Sequence, residues 1–377
     1  MRAAAVPAVV RTRTIPGSVL AGIQREVKLA PQSRCVRQLG VPGDRPAGRS
    51  GDASGYVAGM TQMTHRPLGD SNLVVSSVGL GCNNFGRAGR VTEGTEGTAA
   101  VIDAAIEAGV TLFDTADVYG SPPTRSESLI GELLGTRRDG VVLATKFGGG
   151  NLGTEAEEWG PKGGRTYVRN ACEGSLRRLR TDRIDLYQMH TPDPSTPIAE
   201  TLEALDELVS EGKVRHIGHS NFDADQIAEA DRVSAKNGWA RFVSAQNEYS
   251  LLAREAEQTV LPAVVEHRLG LLPYFPLANG LLTGKYTRDG GPTGARVTAR
   301  PDVLQSVDWD QLDAYRSICA DLGHSMTQVT FAWLLTRPGM GSVIAGATTP
   351  EQVAENAAAA VVELPTDAVG RIDQIFG

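Results

Sequence analysis

The sequence predicts an α/β fold: a single (β/α)8 barrel of the TIM type over residues 60–377, preceded by a disordered basic extension over 1–59. Three observations predict it. Short Val/Ile/Leu-rich runs recur eight times from residue 78 onward. Helical patterns lie between them, several closing on glycine. The span suits a barrel, which takes roughly 250 residues plus loops.

The eight runs are VGLG (78–81), VTLFD (110–114), VVLATK (141–146), IDLYQMH (184–190), VRHIG (214–218), FVSAQ (242–246), LLPYF (271–275) and SVIAG (342–346). They do not alternate strictly between apolar and polar, which suits parallel strands buried on both faces. Between the first two, TAAVIDAAIEAG (98–109) carries apolar residues at helical spacing and stops at Gly109, a C-cap signal. SLRRLR (175–180) closes another helix, and TLEALDELVSEG (201–212) puts Leu202, Leu205 and Leu208 on one face before Gly212. Right-handed crossovers between such units give a parallel sheet. The stretch GGPTGARVTARPD (290–302) interrupts the seventh unit and reads as a mobile loop.

Residues 1–59 are rich in Arg, Ala, Gly and Pro, and carry a net +6. The whole chain is at −7, so the remainder carries −13. An acidic body excludes the basic footprint that nucleic-acid binding needs. Met60 and Met63 directly precede the first patterned segment, so the working protein is expected to begin near Met60; an Arg-rich targeting segment is the rival. Cys35, Cys82, Cys172 and Cys319 form no CxxC pair and no metal-ligand spacing, which favours a reducing, cytoplasmic setting. No apolar run reaches the ~18 residues of a membrane span.

A barrel places its active site at the C-terminal ends of its strands. Asp114, Lys146 and His190 end the second, third and fourth runs, and Tyr119 follows Asp114 by five residues. The set is chemically coherent. A phenol titrates near pH ~10; a neighbouring Lys146 ammonium would lower that value and Asp114 would hold the ammonium charged. Tyr119 could then protonate a developing alkoxide while His190 hydrogen-bonds the carbonyl oxygen. Each residue alone is as well explained by packing or an ion pair; the four together are not.

The motifs GLGCNNFG (79–86), LFDTADVYG (112–120), SESLIGELLG (126–135), LATKFG (143–148), SLRRLRTDRIDLYQMH (175–190), IGHSNF (217–222), QNEYSLL (246–252), YFPLANGLLTGKY (274–286) and GATTPEQVAEN (346–356) run in order along the chain. In them the sequence resembles the aldo-keto reductase family. The resemblance covers about residue 66 to the end and leaves 1–59 unmatched. It implies an oxidoreductase of carbonyl groups with the tetrad Asp114, Tyr119, Lys146 and His190.

For a dinucleotide cofactor the sequence offers two phosphate sites. GGGNLG (148–153) fits GxGxxG, but the glycines and Pro161 that follow suit a loop rather than the helix a Rossmann site needs. In TTPEQ (348–352), Thr349 suits an N-cap, Pro350 the first helical position, and Gln352 completes a capping-box pattern. Free N–H groups at such a terminus bind phosphate, though an ordinary capped helix reads the same way. The resemblance implies that Gly346, Thr348, Thr349, Gln352 and Asn356 hold the adenosine end of NADP(H). It implies that Ser220, Asn221 and Gln246 bind the nicotinamide amide and that Tyr274 stacks on the ring. Gly81, Cys82 and Asp114 would also touch the cofactor, as would Phe275, Leu277, Gly280 and Leu282, with Lys285 as a charge partner.

Two positions depart from the family pattern. Thr348 and Thr349 stand where relatives often carry Arg or Lys, which predicts weak selectivity for NADP(H) over NAD(H). His219 stands where a small apolar residue is common; it could face the core or the site. His216 and His219 lack a third ligand nearby, so no metal is expected, and Cys82 reads as packing rather than redox. Phe85, Trp159, Tyr249 and Phe275 are candidate walls for a small carbonyl substrate, alongside Tyr119 and His190. The acidic loop 148–165, with Glu155, Glu157 and Glu158, favours neutral or polar substrates such as sugars. Two other readings stay open: an NADP-binding regulatory subunit resembling potassium-channel β subunits, and an enzyme whose working direction is alcohol or sugar oxidation. The sequence leaves the oligomeric state undetermined.

Overall fold

The computed structural model describes residues 63–150, 152, 154–292, 295, 297–298 and 300–377. The expectations for residues 1–59 and for a start near Met60 lie outside the described residues, as does part of the loop 290–302. Within that loop Val297 is buried and its N–H donates to the Tyr286 hydroxyl at 3.0 Å, so this part is anchored.

Among the described residues ten strands and twelve helices follow one another. The strands are β1 (His65–Pro67), β2 (Val74–Ser76), β3 (Val78–Gly81), β4 (Leu112–Asp114), β5 (Val142–Phe147), β6 (Ile184–Met189), β7 (Val214–Ser220), β8 (Phe242–Gln246), β9 (Gly270–Leu271) and β10 (Val343–Gly346). The helices are α1 (Thr95–Glu107), α2 (Arg125–Leu134), α3 (Thr154–Glu157), α4 (Arg165–Leu179), α5 (Ile198–Ser210), α6 (Ala224–Asn237), α7 (Val260–Glu266), α8 (Pro301–Gln305), α9 (Trp309–Asp321), α10 (Met326–Leu335), α11 (Pro350–Ala358) and α12 (Thr366–Phe376).

Eight strands pair in the order β10-β3-β4-β5-β6-β7-β8-β9, every neighbour parallel. A parallel bridge from Leu271 to Met340, carried by Leu271 N–H to Gly339 O (2.7 Å) and Gly341 N–H to Leu271 O (2.9 Å), joins the two ends and closes the barrel. Each of the eight runs read from the sequence falls on one of these strands. The seventh is shorter than read: β9 ends at Leu271, because Pro273 has no N–H to give a ladder, and Tyr274 keeps only an isolated bridge to Glu248. The segment after GGGNLG also differs, since α3 adds one helical turn where a plain loop was expected.

The sequence reading gave no sign of β1 and β2. They form an antiparallel hairpin whose Leu68, Leu73 and Val75 pack against Leu112, Ala144, Leu186, Leu272 and Ile344 inside the barrel. The hairpin turn lies so close to the barrel that a Cβ at Gly69 (φ +59°) would sit 2.6 Å from the Arg268 carbonyl. This plug closes the N-terminal mouth, so polar chemistry is confined to the other end.

Strand parity explains the change in polarity along the bore. Side chains two apart share a face, so Leu112 leads to Asp114, Ala144 to Lys146, and Leu186 to Gln188. Each inward row starts apolar against the plug and ends polar at the C-terminal rim. Outward residues such as Phe113, Phe147 and Tyr187 pack under the helices.

Candidate active site

Lys146 is fully buried. Its Nζ donates to Asp114 Oδ2 at 2.7 Å, to the Thr115 carbonyl at 2.9 Å and to the Tyr119 hydroxyl oxygen at 3.4 Å. An ammonium has three protons, and these three acceptors use them all. Asp114 Oδ1 in turn accepts from the side-chain amides of Gln188 (3.2 Å) and Gln246 (3.0 Å). Burial alone would depress the Lys146 pKa, but Asp114 and Tyr119 overcome it and the ammonium is held above its ordinary value.

Tyr119 reaches the rim on the loop after β4, its N–H bonded to the Ala116 carbonyl. One expectation needs correcting here. Burial, with the Asp114 charge behind it, raises the phenol pKa above its ordinary value; Lys146 and a hydrogen bond from Asn83 pull it down without reversing the sign. Proximity of a cation was legible in the sequence, and the competing desolvation was not.

His190 follows β6, and its ring meets that of Tyr119 edge-on with centroids 5.8 Å apart. Burial first, then Lys146 and Lys162, push its pKa down to about 3, so the imidazole is neutral. Its Nδ1 is buried without a partner, and the Gly149 backbone lies so near that an added Cβ would stand 2.6 Å from it. The three residues read from the strand ends and the loop residue Tyr119 thus meet on one rim.

Around them sit the residues the family resemblance named. Asn221 (φ +62°) donates through its amide to the His190 carbonyl at 2.9 Å and accepts from the Tyr274 hydroxyl at 2.9 Å. Ser220 Oγ donates to the Gln246 carbonyl at 2.8 Å. Gln246 is buried, with its amide turned inward on Asp114 and Gln188. Gly81 and Gly346 are register partners across β3 and β10. Cys82 is buried and burial pushes its thiol pKa well up, an inert packing residue.

After β9 the chain strings together left-handed residues: Phe275 (φ +53°), Ala278 (+46°), Asn279 (+58°) and Gly280 (+99°). Leu277 and Leu282 bracket this turn, which Leu282 N–H to Leu277 O closes at 3.3 Å. Lys285 lies across it, its Nζ 3.0 Å from where a Gly280 Cβ would be. Successive left-handed residues are costly and collect at ligand clamps.

α11 opens as expected at Thr349, whose Oγ1 accepts from Gln352 N–H at 3.4 Å, with Pro350 at the first position. The reciprocal half of the capping box lands one residue early: Gln352 Oε1 accepts from the Thr348 N–H (2.8 Å) and hydroxyl (3.1 Å). Glu351 stands in the first turn, and Asn356 is buried.

Two candidate wall residues are not at the mouth. Phe85 is fully buried, and so is Tyr249, whose hydroxyl donates to Glu257 at 2.6 Å while its ring packs on Trp333. Phe275 is exposed and leans edge-on against Tyr274, and Trp159 leans on Tyr167. His219 faces the core: it is fully buried between Phe222 and Phe242, with neither ring nitrogen hydrogen-bonded. His216 bonds Asn72 at 2.8 Å. Among the described residues no group of three or more His, Cys, Asp or Glu is placed to hold a metal, and no helix is long and apolar enough to cross a membrane.

Sequence reasoning missed Gln188, Asn83 and Asp117. Gln188 was within reach, because it shares inward parity with Leu186. Asp117 is fully buried with both carboxyl oxygens unpartnered; burial and then the neighbouring Glu127 raise its pKa well above the carboxylate range.

A plugged α/β barrel that presents an ammonium-braced phenol beside a neutral imidazole at its open end defines an enzyme scaffold able to pass a proton to and from an oxygen atom. The sequence pattern of the aldo/keto reductase family matches residues 77–376. The chain belongs to that family, whose members are nicotinamide-dependent oxidoreductases. It is 36% identical over 321 residues to the uncharacterised oxidoreductase YrpG of Bacillus subtilis (strain 168), covering 83% of this chain and 96% of that protein. It is 35% identical to the NADH-specific methylglyoxal reductase of Escherichia coli (strain K12), over 79% of this chain and 94% of that one. A probable voltage-gated potassium channel subunit beta of Oryza sativa subsp. japonica is 34% identical, over 78% and 90%.

Proposed function

We propose that the chain is an NADP(H)-dependent reductase of small aldehydes and ketones, with Tyr119 as general acid, acting in reverse on alcohols or sugars with Tyr119 as base. The observation that carries this reading is the reach of Lys146 Nζ to both Asp114 (2.7 Å) and the Tyr119 oxygen (3.4 Å) beside His190.

In this reading the substrate carbonyl oxygen lies between the Tyr119 hydroxyl and the His190 ring. Lys146 donates to the phenol oxygen, so the phenol's own O–H is left to donate outward. Neutral His190 offers an N–H to the same carbonyl oxygen and fixes the face presented. A nicotinamide held there would supply the hydride that the carbonyl carbon needs. As negative charge grows on the carbonyl oxygen, the Tyr119 proton passes to it and Lys146 stabilises the phenolate left behind.

Ser220, Asn221, Gln246 and Tyr274 would hold the nicotinamide, with Gly81, Cys82 and Asp114 alongside. The left-handed turn from Phe275 through Leu277, Gly280 and Leu282, with Lys285 across it, would hold the pyrophosphate. Gly346, Thr348, Thr349, Gln352 and Asn356 would hold the adenosine end. Gln352 already satisfies both Thr348 donors, and Glu351 is the one charged residue in the first turn of α11. With those donors engaged and no cation in that turn, a 2′-phosphate would be little rewarded there, hence weak selectivity over NAD(H). The substrate is a small carbonyl compound and the compartment cytoplasmic.

Cofactor oxidation over a panel of aldehydes and ketones tests the reading; turnover of several is expected, and none with any panel member would contradict it. The Oryza sativa relative named a probable voltage-gated potassium channel subunit beta supports a second reading, an NADP-binding regulatory subunit. That role requires tight cofactor retention with negligible turnover in the same assay.

A further inference from the structure

We propose that Lys162 is a latch: its ammonium holds the backbone of Gly149 and Gly150 against the Nδ1 side of His190, so that water is kept from that nitrogen and the ring meets its ligand through Nε2. This makes Lys162 a positioning residue, and it rests on the reading of His190 as the hydrogen-bond partner of the substrate carbonyl oxygen.

Two segments between β5 and α4 come together at the rim. One is Gly148–Gly150, directly after Phe147; the other carries Lys162, just before α4. Lys162 Nζ donates to the Gly149 carbonyl and, at 3.0 Å, to the Gly150 carbonyl. The base of the same side chain packs on Gly148 (φ +77°), where an added Cβ would stand 3.6 Å from Lys162 Cβ. His190 lies on the other side of these glycines. A Cβ added to Gly149 would stand 2.6 Å from His190 Nδ1 and 3.1 Å from Val118 Cγ2, so a glycine is needed for so close an approach. Of the two ring nitrogens of His190, Nδ1 alone is buried without a partner.

Lys162 can hold the glycines because its own backbone is fixed. Gly163 N–H donates to Asp193 Oδ2 at 2.8 Å, and the Gly163 carbonyl accepts from Thr201 Oγ1 at 2.7 Å. Gly164 N–H donates to the Pro161 carbonyl at 2.9 Å. Thr201 is a buried residue of α5, so the anchor is the body of the barrel. Three successive glycines fix no conformation by themselves. An ammonium that donates to two successive carbonyls does.

The charged groups that face His190 are Lys146, from β5, and Lys162; its titratable neighbour is Tyr119, from the loop after β4, with centroids 5.8 Å apart. Burial, then Lys146, then Lys162 disfavour the imidazolium and push the pKa of the ring down to about 3. The covering glycines and the Lys162 charge thus act in the same direction, and two variants separate them.

The test follows the His190 ring by NMR of the full chain, isotope-labelled at histidine Cε1, with the signal assigned by its absence from His190→Gln. Each protein is read from pH ~8 downward for as long as its near-ultraviolet circular dichroism stays native. Lys162→Met removes charge and latch together and is expected to raise the His190 midpoint by about two pH units. Gly149→Ala keeps the cation but forces the backbone off the ring, and is expected to raise the midpoint by about one unit. Lys162→Arg keeps both the charge and the donors and is expected to leave it near the wild type. A midpoint unmoved in both Lys162→Met and Gly149→Ala overturns the proposal. So does a shift in one of them alone: in Lys162→Met alone it marks a charge effect without a latch, and in Gly149→Ala alone a cover that stands without Lys162. If His190→Gln keeps wild-type turnover of an aldehyde, the reading beneath fails instead, while the titration still decides the latch.

Discussion

Replacing His219 by leucine is expected to stabilise the protein, increasingly so in acid. His219 is fully buried, both ring nitrogens lack partners, and it sits between Phe222 (centroids 4.5 Å apart) and Phe242 (5.1 Å). At neutral pH the variant removes an unsatisfied buried polar ring, worth about 1–3 kcal/mol, and loses aromatic contacts worth about 0.5–1.5 kcal/mol. The net gain is about 1 kcal/mol. Burial lowers the imidazole pKa from 6.5 to about 3. Between those values the unfolded chain binds a proton that the folded chain refuses, so the wild type loses stability as pH falls through this window. At about 1.4 kcal/mol per pH unit the ceiling on that loss is about 5 kcal/mol, and the leucine variant does not share it. Urea unfolding of both proteins at several pH values reads the difference directly. A stability gap that stays constant from neutral pH into the acid range would refute the reasoning.

Asp117→Asn should act with the opposite slope. Burial holds this carboxyl neutral in the folded chain, so the folded state keeps a proton that the unfolded state releases above pH ~4, and wild-type stability falls as pH rises. The isosteric amide escapes that loss, gaining about 1.4 kcal/mol per pH unit until the folded carboxyl ionises; parallel denaturation midpoints across pH would contradict it. Thr348→Arg places a cation beside the first turn of α11, where Glu351 is the only charge. NADPH affinity, measured by calorimetry, is expected to rise about tenfold with NADH unchanged; equal changes for both cofactors would contradict the placement of the adenosine phosphate.

The barrel was legible because buried parallel strands leave continuous apolar runs, and all eight were found at about the right places. The rim was legible for the same reason: Asp114, Lys146 and His190 stand where those runs end. The hairpin was not, because strands of three residues such as His65–Pro67 are too short to show a period. Pro273 marked the end of β9 and was read through. Phe85 and Tyr249 show what a loop aromatic conceals: its type says that it will be buried, not in which direction. Asp117, two residues from Tyr119, carries no sequence signal that would distinguish a buried carboxylic acid from a solvated one. The phenol pKa needed a comparison of desolvation with charge, and only coordinates supply the first of these.

The central claim is that Tyr119 delivers the proton, and Tyr119→Phe tests it when cofactor binding and turnover are measured on the same sample. NADPH affinity is expected to stay near wild type while kcat for a reduced aldehyde falls by ~10²–10⁴-fold. Turnover within a few-fold of wild type, with the cofactor bound, would mean that another group is the acid.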